Sequence, residues 1–269
     1  MIRLTLSVLA VSVSLFAQAS QQTQPWARER LEKSTRHGEW VTVKHDNRSV
    51  EAFVVYPEIK EKAPVVLVIH EIFAMSDWVQ LMADEIAAAG YIAIAPDLLS
   101  GMGPNGGATK SFPPGGATQA VGQLPPDQIT ADLNAAADWA LKQPAANGRL
   151  FVAGFCWGGG QSFRYATNRP DLKGAFVFYG PAPAADAIAK IHAPVYGFYG
   201  ENDARITASI PDTQEKMKAA GKSYEPVVYA GAAHGFMRAG DDPTGNAANM
   251  KARNDAFARL TGLLKQLNK

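Results

Sequence analysis

A single cysteine, Cys156, lies in the run Gly154-Phe155-Cys156-Trp157-Gly158-Gly159 of this 269-residue chain. The apolar stretch Leu150-Phe151-Val152-Ala153 precedes it and a helix-compatible stretch follows. A strand, a nucleophile between glycines, then a helix is the Gly-x-Ser-x-Gly elbow with cysteine in the serine position. The sharp turn forces the nucleophile into a strained backbone conformation, and only residues without Cβ fit closely around it. The helix aims its positive N-terminal end at developing negative charge. One cysteine has no intrachain disulfide partner and too little company for a metal site. The competing interpretation is a buried structural cysteine beside a glycine-rich turn.

A cysteine nucleophile needs a base, and the base needs an orienting acid. Val195 to Tyr199 reads as a buried strand ending in Gly200-Glu201-Asn202-Asp203. Tyr224 to Tyr229 reads as another, and its exit loop carries Gly231-Ala232-Ala233-His234-Gly235-Phe236. The order nucleophile, Asp203, His234 is the α/β-hydrolase order. Each candidate falls just past the C-terminal end of a strand, where open parallel sheets bind ligands. Taken singly, Asp203 would be a turn former and His234 a loop histidine; the order and placement favour a Cys156-His234-Asp203 triad.

A second constellation lies upstream in Val68-Ile69-His70-Glu71-Ile72-Phe73. His-Glu suggests zinc, but a metalloprotease helix needs a second histidine at position 74, which is Ala74. In this fold the loop after such a strand supplies one oxyanion N–H, and the residue after the nucleophile supplies the other. That assigns the oxyanion hole to the backbone N–H groups of Ile72 and Trp157. Glu71 would face Cys156, where a carboxylate can take the thiol proton or hold it until substrate arrives; otherwise it is a solvated strand-end residue. No metal and no cofactor are implied.

The elements that must position these groups alternate. Trp40 to Val43 and Val50 to Tyr56 suit a hairpin around Asp46-Asn47, and Val65 to Ile69 a strand buried on both faces. A helix from Asp77 to Ala89, a strand from Tyr91 to Ala95, and a helix capped by Asp127 follow. Residues 101–126, rich in Gly and Pro, read as one long loop. Ala175 to Tyr179 is a further strand, and Tyr179 at its end is a candidate for substrate binding. The last helix spans about residues 246–267. The fold class is therefore α/β, of the α/β-hydrolase type, with a mostly parallel central sheet and helices on both faces.

The N-terminus has its own logic. Arg3, the apolar Leu4 to Phe16 and Ala17-Gln18-Ala19 match a cleavable signal peptide over residues 1–19. The apolar run is about 13 residues, short of the roughly 20 needed to span a bilayer. The expectation is export to the periplasm or beyond without a membrane anchor, residues 20–269 forming one domain. Lys+Arg number 26 and Asp+Glu 25, with no basic cluster, so nucleic acid binding has no electrostatic footprint. The expected partner is a small-molecule substrate, and a monomer is the expected state.

His70-Glu71-Ile72-Phe73, Ala95-Pro96-Asp97-Leu98, the cysteine elbow, Gly200-Glu201-Asn202-Asp203 and His234-Gly235-Phe236 together resemble the dienelactone hydrolase (carboxymethylenebutenolidase) family. The resemblance runs from about residue 40 to the C-terminus. It implies Cys156 as nucleophile, His234 as base, Asp203 as its orienting acid and Glu71 as the carboxylate controlling the thiol. It also implies Arg238 as one of two arginines for a substrate carboxylate. The other should follow Asp97, yet no arginine occurs between Arg48 and Arg149, and Lys110 is the only cation in 101–126. Thiolate departs more easily than an ordinary alkoxide, so a cysteine hydrolase suits enol lactones, aryl esters or thioesters. A general carboxylesterase or thioesterase, a non-catalytic binding protein on the same fold and a redox-sensing thiol are the alternatives.

Overall fold

The computed structural model describes residues 23–269, so the expected signal peptide lies outside the described residues. One eight-stranded sheet runs through the molecule in the order β1-β2-β4-β3-β5-β6-β7-β8. Its strands are β1 (Gly38–His45), β2 (Arg48–Val55), β3 (Ala63–Ile69), β4 (Ile92–Pro96), β5 (Ala146–Phe155), β6 (Gly174–Phe178), β7 (Val195–Gly200) and β8 (Tyr224–Tyr229). β1 and β2 form the expected antiparallel hairpin, and β2 pairs antiparallel with β4. Every pairing from β4 through β8 is parallel.

The helices are α1 (Pro25–Glu32), α2 (Asp77–Ala88), α3 (Gly116–Gly122), α4 (Pro126–Leu141), α5 (Trp157–Asn168), α6 (Ala185–Ile188), α7 (Ala204–Thr207), α8 (Ile210–Ala219), α9 (Phe236–Asp241) and α10 (Ala247–Leu267). They cover both faces. Successive strand residues point to opposite sides. In β3, Val65, Leu67 and Ile69 join Leu133 and Phe163 of α4 and α5 in one core. Val66 and Val68 join Trp78, Val79 and Met82 of α2 and Leu260 of α10 in the other. Burial on both faces explains the unbroken apolar runs.

Two expectations need correction, and one element was not expected. Residues 101–126 are not one loop: they hold two 3₁₀ turns, Pro104–Gly106 and Thr109–Ser111, and α3. The buried Asp97 carboxylate organises the segment by accepting from Thr109 N at 3.0 Å and from Thr109 Oγ1 at 2.7 Å. Ala117 and Val121 give α3 a buried face, but glycines dilute that pattern in the sequence. Asp127 does not cap α4; Pro125 occupies the cap position and makes no side-chain bond, while Asp127 sits in the first turn. Pro126 at the first helical position, with its preset φ, begins the helix instead. The segment before β1 also carries α1, docked on α2 through Arg28 to Asp77 at 3.0 Å. Arg36 Nε, just before β1, donates to Asp84 at 2.9 Å, and Arg30 pairs with Glu85.

Candidate functional site

Six strand ends converge on one edge of the sheet, and Cys156 sits at their centre. It has φ 57° and ψ −118°, unusual for a residue with a Cβ, and it directly precedes α5. Close packing holds this conformation. A Cβ on Gly158 would run into the carbonyls of Ile69 and His70, and one on Gly159 into the carbonyl of Phe178. The glycines thus let the start of α5 lie against the ends of β3 and β6. Cys156 N also donates to Phe178 O at 3.0 Å.

The structure brings the three candidates for a triad together from three loops. His234 Nε2 lies 3.1 Å from Cys156 Sγ, and His234 Nδ1 lies 2.5 Å from Asp203 Oδ2. Asp203 is buried, which exempts its carboxylate from competition with water. The backbone amides of Ile72 and Trp157 both point at the sulfur and favour its ionised form. These are the two N–H groups expected of the oxyanion hole. Two influences outweigh them. Burial, then the charge of Glu71, push the Cys156 thiol up to about 11. Cys156 therefore rests as a neutral thiol at physiological pH.

Glu71 is buried beside this thiol, but its carboxylate is held elsewhere. Arg238 Nε, on α9, donates to Glu71 Oε2 at 2.6 Å. Arg238 also lies over the Phe73 ring, 5.1 Å from its centroid, and borders a cavity of about 450 Å³ shared with Trp26 and Asn246. The arginine expected to read a substrate carboxylate thus already holds a carboxylate of the protein. Tyr179, at φ 41°, is fully buried and meets His234 and Phe236 edge to face at 5.1 and 5.3 Å. Its hydroxyl has no hydrogen-bond partner. Burial first, then the charge of Glu71, raise it well above the ordinary tyrosine range.

Sequence reasoning missed the bracing role of His70 and missed Arg205 altogether. His70 is buried and donates from Nδ1 to its neighbour's carbonyl, Glu71 O, at 2.7 Å. Burial lowers its pKa and keeps it neutral. It stacks on Trp157 with centroids 5.4 Å apart, bracing the residue whose amide faces the sulfur. Arg205, in α7 just after Asp203, contributes a positive charge that favours the Cys156 thiolate. Its position, two residues after the acid, was the available signal. Among the described residues no group of His, Cys, Asp and Glu is arranged to hold a metal, and no helix is long and apolar enough to cross a membrane.

The sequence profile of the dienelactone hydrolase family matches residues 50–268. The chain belongs to the dienelactone hydrolase family. It is similar to a protein described as a carboxymethylenebutenolidase in Salmonella typhimurium, 34% identical over 198 residues, covering 69% of this chain and 72% of the relative. A relative of the same description in Escherichia coli is 33% identical, covering 76% of this chain and 77% of its own length. Among solved structures, a dienelactone hydrolase from Klebsiella pneumoniae has a TM-score of 0.74 and 26% identity, covering 85% of this chain and 98% of that one. The eight-stranded sheet is that of the α/β-hydrolase superfamily, and the protein is a carboxylic ester hydrolase.

Proposed function

We propose that the protein hydrolyses a small lactone or activated carboxylic ester with a Cys156-His234-Asp203 triad, through a thioester acyl-enzyme. The observation that carries this reading is the continuous relay from Cys156 Sγ through His234 to Asp203, at 3.1 and 2.5 Å. The thiol proton passes to His234 Nε2 as Sγ bonds the acyl carbon. The Ile72 and Trp157 amides stabilise the oxyanion. Collapse breaks the ester C–O bond, and His234 returns its proton to the departing oxygen. Water, deprotonated by His234, then attacks the thioester; the second collapse frees the acid and restores the thiol. Asp203 holds His234 in the required tautomer and stabilises its charged form.

A thiol near 11 is a poor nucleophile at rest, so ionisation must be coupled to substrate arrival. Glu71 supplies the coupling. Paired to Arg238, it keeps the thiol protonated by its charge. A substrate carboxylate that competes for Arg238 would free Glu71 to take the thiol proton first and hand it on to His234 Nε2. Tyr179, whose hydroxyl lacks a partner, would contact the same substrate. Residues 1–19 would direct export, and residues 20–269 would act as one catalytic domain without a cofactor.

Cys156→Ala tests the reading. Turnover of aryl esters and lactones should fall by at least about 10³-fold, since only binding and the oxyanion hole remain. Mass spectrometry of the wild type quenched during turnover should show one acyl adduct, on Cys156. Retained turnover in the variant would refute the assignment.

A further inference from the structure

The β1–β2 hairpin turns one face to solvent at the rim of the sheet. Thr42 pairs across it with Glu51, and Lys44 with Ser49, while Trp40 lies two residues before Thr42, so these side chains share that face. The 3₁₀ segment that Asp97 organises forms the opposite wall of a trough. Two adjoining cavities fill the trough and share Glu51 and Ala108. One, of about 330 Å³, is lined by Trp40, Met75, Lys110 and Ser111. The other, of about 390 Å³, is lined by Thr42, Ser49 and Ser100. Each has the size of a small-ligand pocket, roughly 300 to 1,000 Å³. Trp40 is 41% exposed, among the described residues the largest apolar side chain left so open. Phe53 backs its ring with centroids 5.5 Å apart, and Lys110 Nζ stands 5.7 Å from the ring centroid. Among the described residues no hydrogen bond or ion pair engages the side chains of Thr42, Ser49, Glu51 or Lys110.

We infer that this trough is a binding site for a neutral saccharide, with Trp40 as its stacking platform. The lining decides the class. Lys110 and Glu51 bring one charge of each sign to the same cavity, so it favours neither an anion nor a cation. The other acid there, Asp97, is buried and already accepts twice from Thr109. A purely apolar ligand would cover Glu51, Lys110 and two hydroxyls and leave them without partners, which costs free energy for each. A sugar ring satisfies both parts of the lining. Its C–H face packs on the indole, where the exposed Lys110 contact is weak and yields. Its hydroxyls donate to Glu51, accept from Lys110 and do either with Thr42 and Ser49. Two cavities in line suit two or more linked sugar units. The site is separate from the nucleophile: β2 stands three places from β5 in the sheet, roughly 14 Å at the usual strand spacing. Trp40, Thr42 and Ser49 also precede residue 50, where the match to the family begins. The inference is independent of the proposed hydrolysis, since it concerns where the enzyme is held and not what Cys156 cleaves.

Isothermal titration with cellohexaose, xylohexaose, maltohexaose and N-acetylchitohexaose tests it. At least one should bind with a Kd between about 10 μM and 5 mM, as suits an open, solvent-rimmed site. That affinity should hold between about 0.05 and 1 M salt, because the ligand is neutral. It should fall at least about tenfold in Trp40→Ala and at least about threefold in Glu51→Gln, while Trp40→Phe, which keeps a ring, should retain most of it. Glu51→Gln and Trp40→Phe also report on the site should Trp40→Ala fail to fold. Val228→Ala removes another exposed apolar side chain, on β8 at the far edge of the sheet, and should bind as wild type does. Binding of none of the four, wild-type affinity in both Trp40→Ala and Glu51→Gln, or an equal fall in Val228→Ala overturns the inference. So does affinity that collapses at high salt, or binding of benzoate in place of any saccharide, either of which would make the trough an acid site. Because these titrations need no turnover and can be run in Cys156→Ala, their failure is distinct from failure of the hydrolytic reading.

Discussion

Glu71→Gln separates two effects that turnover alone would merge. In the folded protein the Cys156 thiol is pushed up to about 11, by burial first and by the charge of Glu71 second. An ordinary thiol sits near 8.5, so at pH 8 about one Cys156 in a thousand is ionised where an exposed cysteine would be about a quarter ionised. Glutamine removes the negative charge and leaves Arg238, which it can still bond, as an uncompensated positive charge nearby. Both changes favour thiolate. A downward shift of roughly one unit gives about tenfold more thiolate at any pH below the midpoint. Alkylation by iodoacetamide, followed by mass spectrometry between pH 6 and 10, should thus be about tenfold faster in the variant. Hydrolysis should move the opposite way, falling at least about tenfold, because the group proposed to accept the proton is gone. Some stability should also be lost, about 1 to 3 kcal/mol, since Arg238 is largely buried and loses its carboxylate. Alkylation as slow as wild type in a folded Glu71→Gln would refute the electrostatic argument, and unchanged turnover would refute the catalytic one.

Removing the Tyr179 hydroxyl as Tyr179→Phe deletes a buried polar atom that has no partner, so Tm should hold or rise while kcat/KM falls about tenfold if that hydroxyl waits for substrate; an unchanged kcat/KM would reduce Tyr179 to packing against His234. A chain beginning at residue 38 removes Arg28 from Asp77, Arg36 from Asp84 and Arg30 from Glu85, which keeps only Arg253, and should lose about 2 to 4 kcal/mol, read by calorimetry as a Tm drop of roughly 5 to 15 °C. Protein recovered from the native host should begin at Ser20 and lie outside the cytoplasm; an intact Met1 on cytosolic protein would sink the export expectation.

The central strands were legible because β3 to β7 are buried on both faces and leave unbroken apolar runs. The positions of Cys156, Asp203 and His234 were legible because each follows a strand end at a loop with its own glycine. The order within 101–126 was not, since it depends on Asp97 gripping Thr109, a contact no local pattern encodes. α1 was missed for a similar reason: its Arg28 and Arg30 reach Asp77 and Glu85, about 50 residues away, and only Ala27 of the helix is buried. Arg238 and Glu71 were each singled out, but their engagement with each other spans 167 residues and has no signature in either neighbourhood. His70 was weighed as a zinc ligand, while its stack on Trp157 needs the elbow and β3 already side by side.

Those same separations bear on how the chain folds. The contacts around Cys156 close intervals of 78 residues to His234, while Glu71 reaches Arg238 across 167. Loops of that size form late, after nearer strands have paired. Until they form, Cys156 has the reactivity of an ordinary thiol, ionised to a far greater extent at pH 8 than in the native state. Folding therefore quenches this cysteine instead of activating it, and brief pulses of alkylating agent during refolding would label every chain that has not yet docked α9 against the end of β3. Having one cysteine, such chains can form no internal disulfide and can pair only with a thiol of another molecule when an oxidant is present. A chain that reaches an oxidising compartment unfolded must finish these two long closures before it meets its neighbours, and the native Cys156 thiol is then protected by the burial and the Glu71 charge that hold its proton.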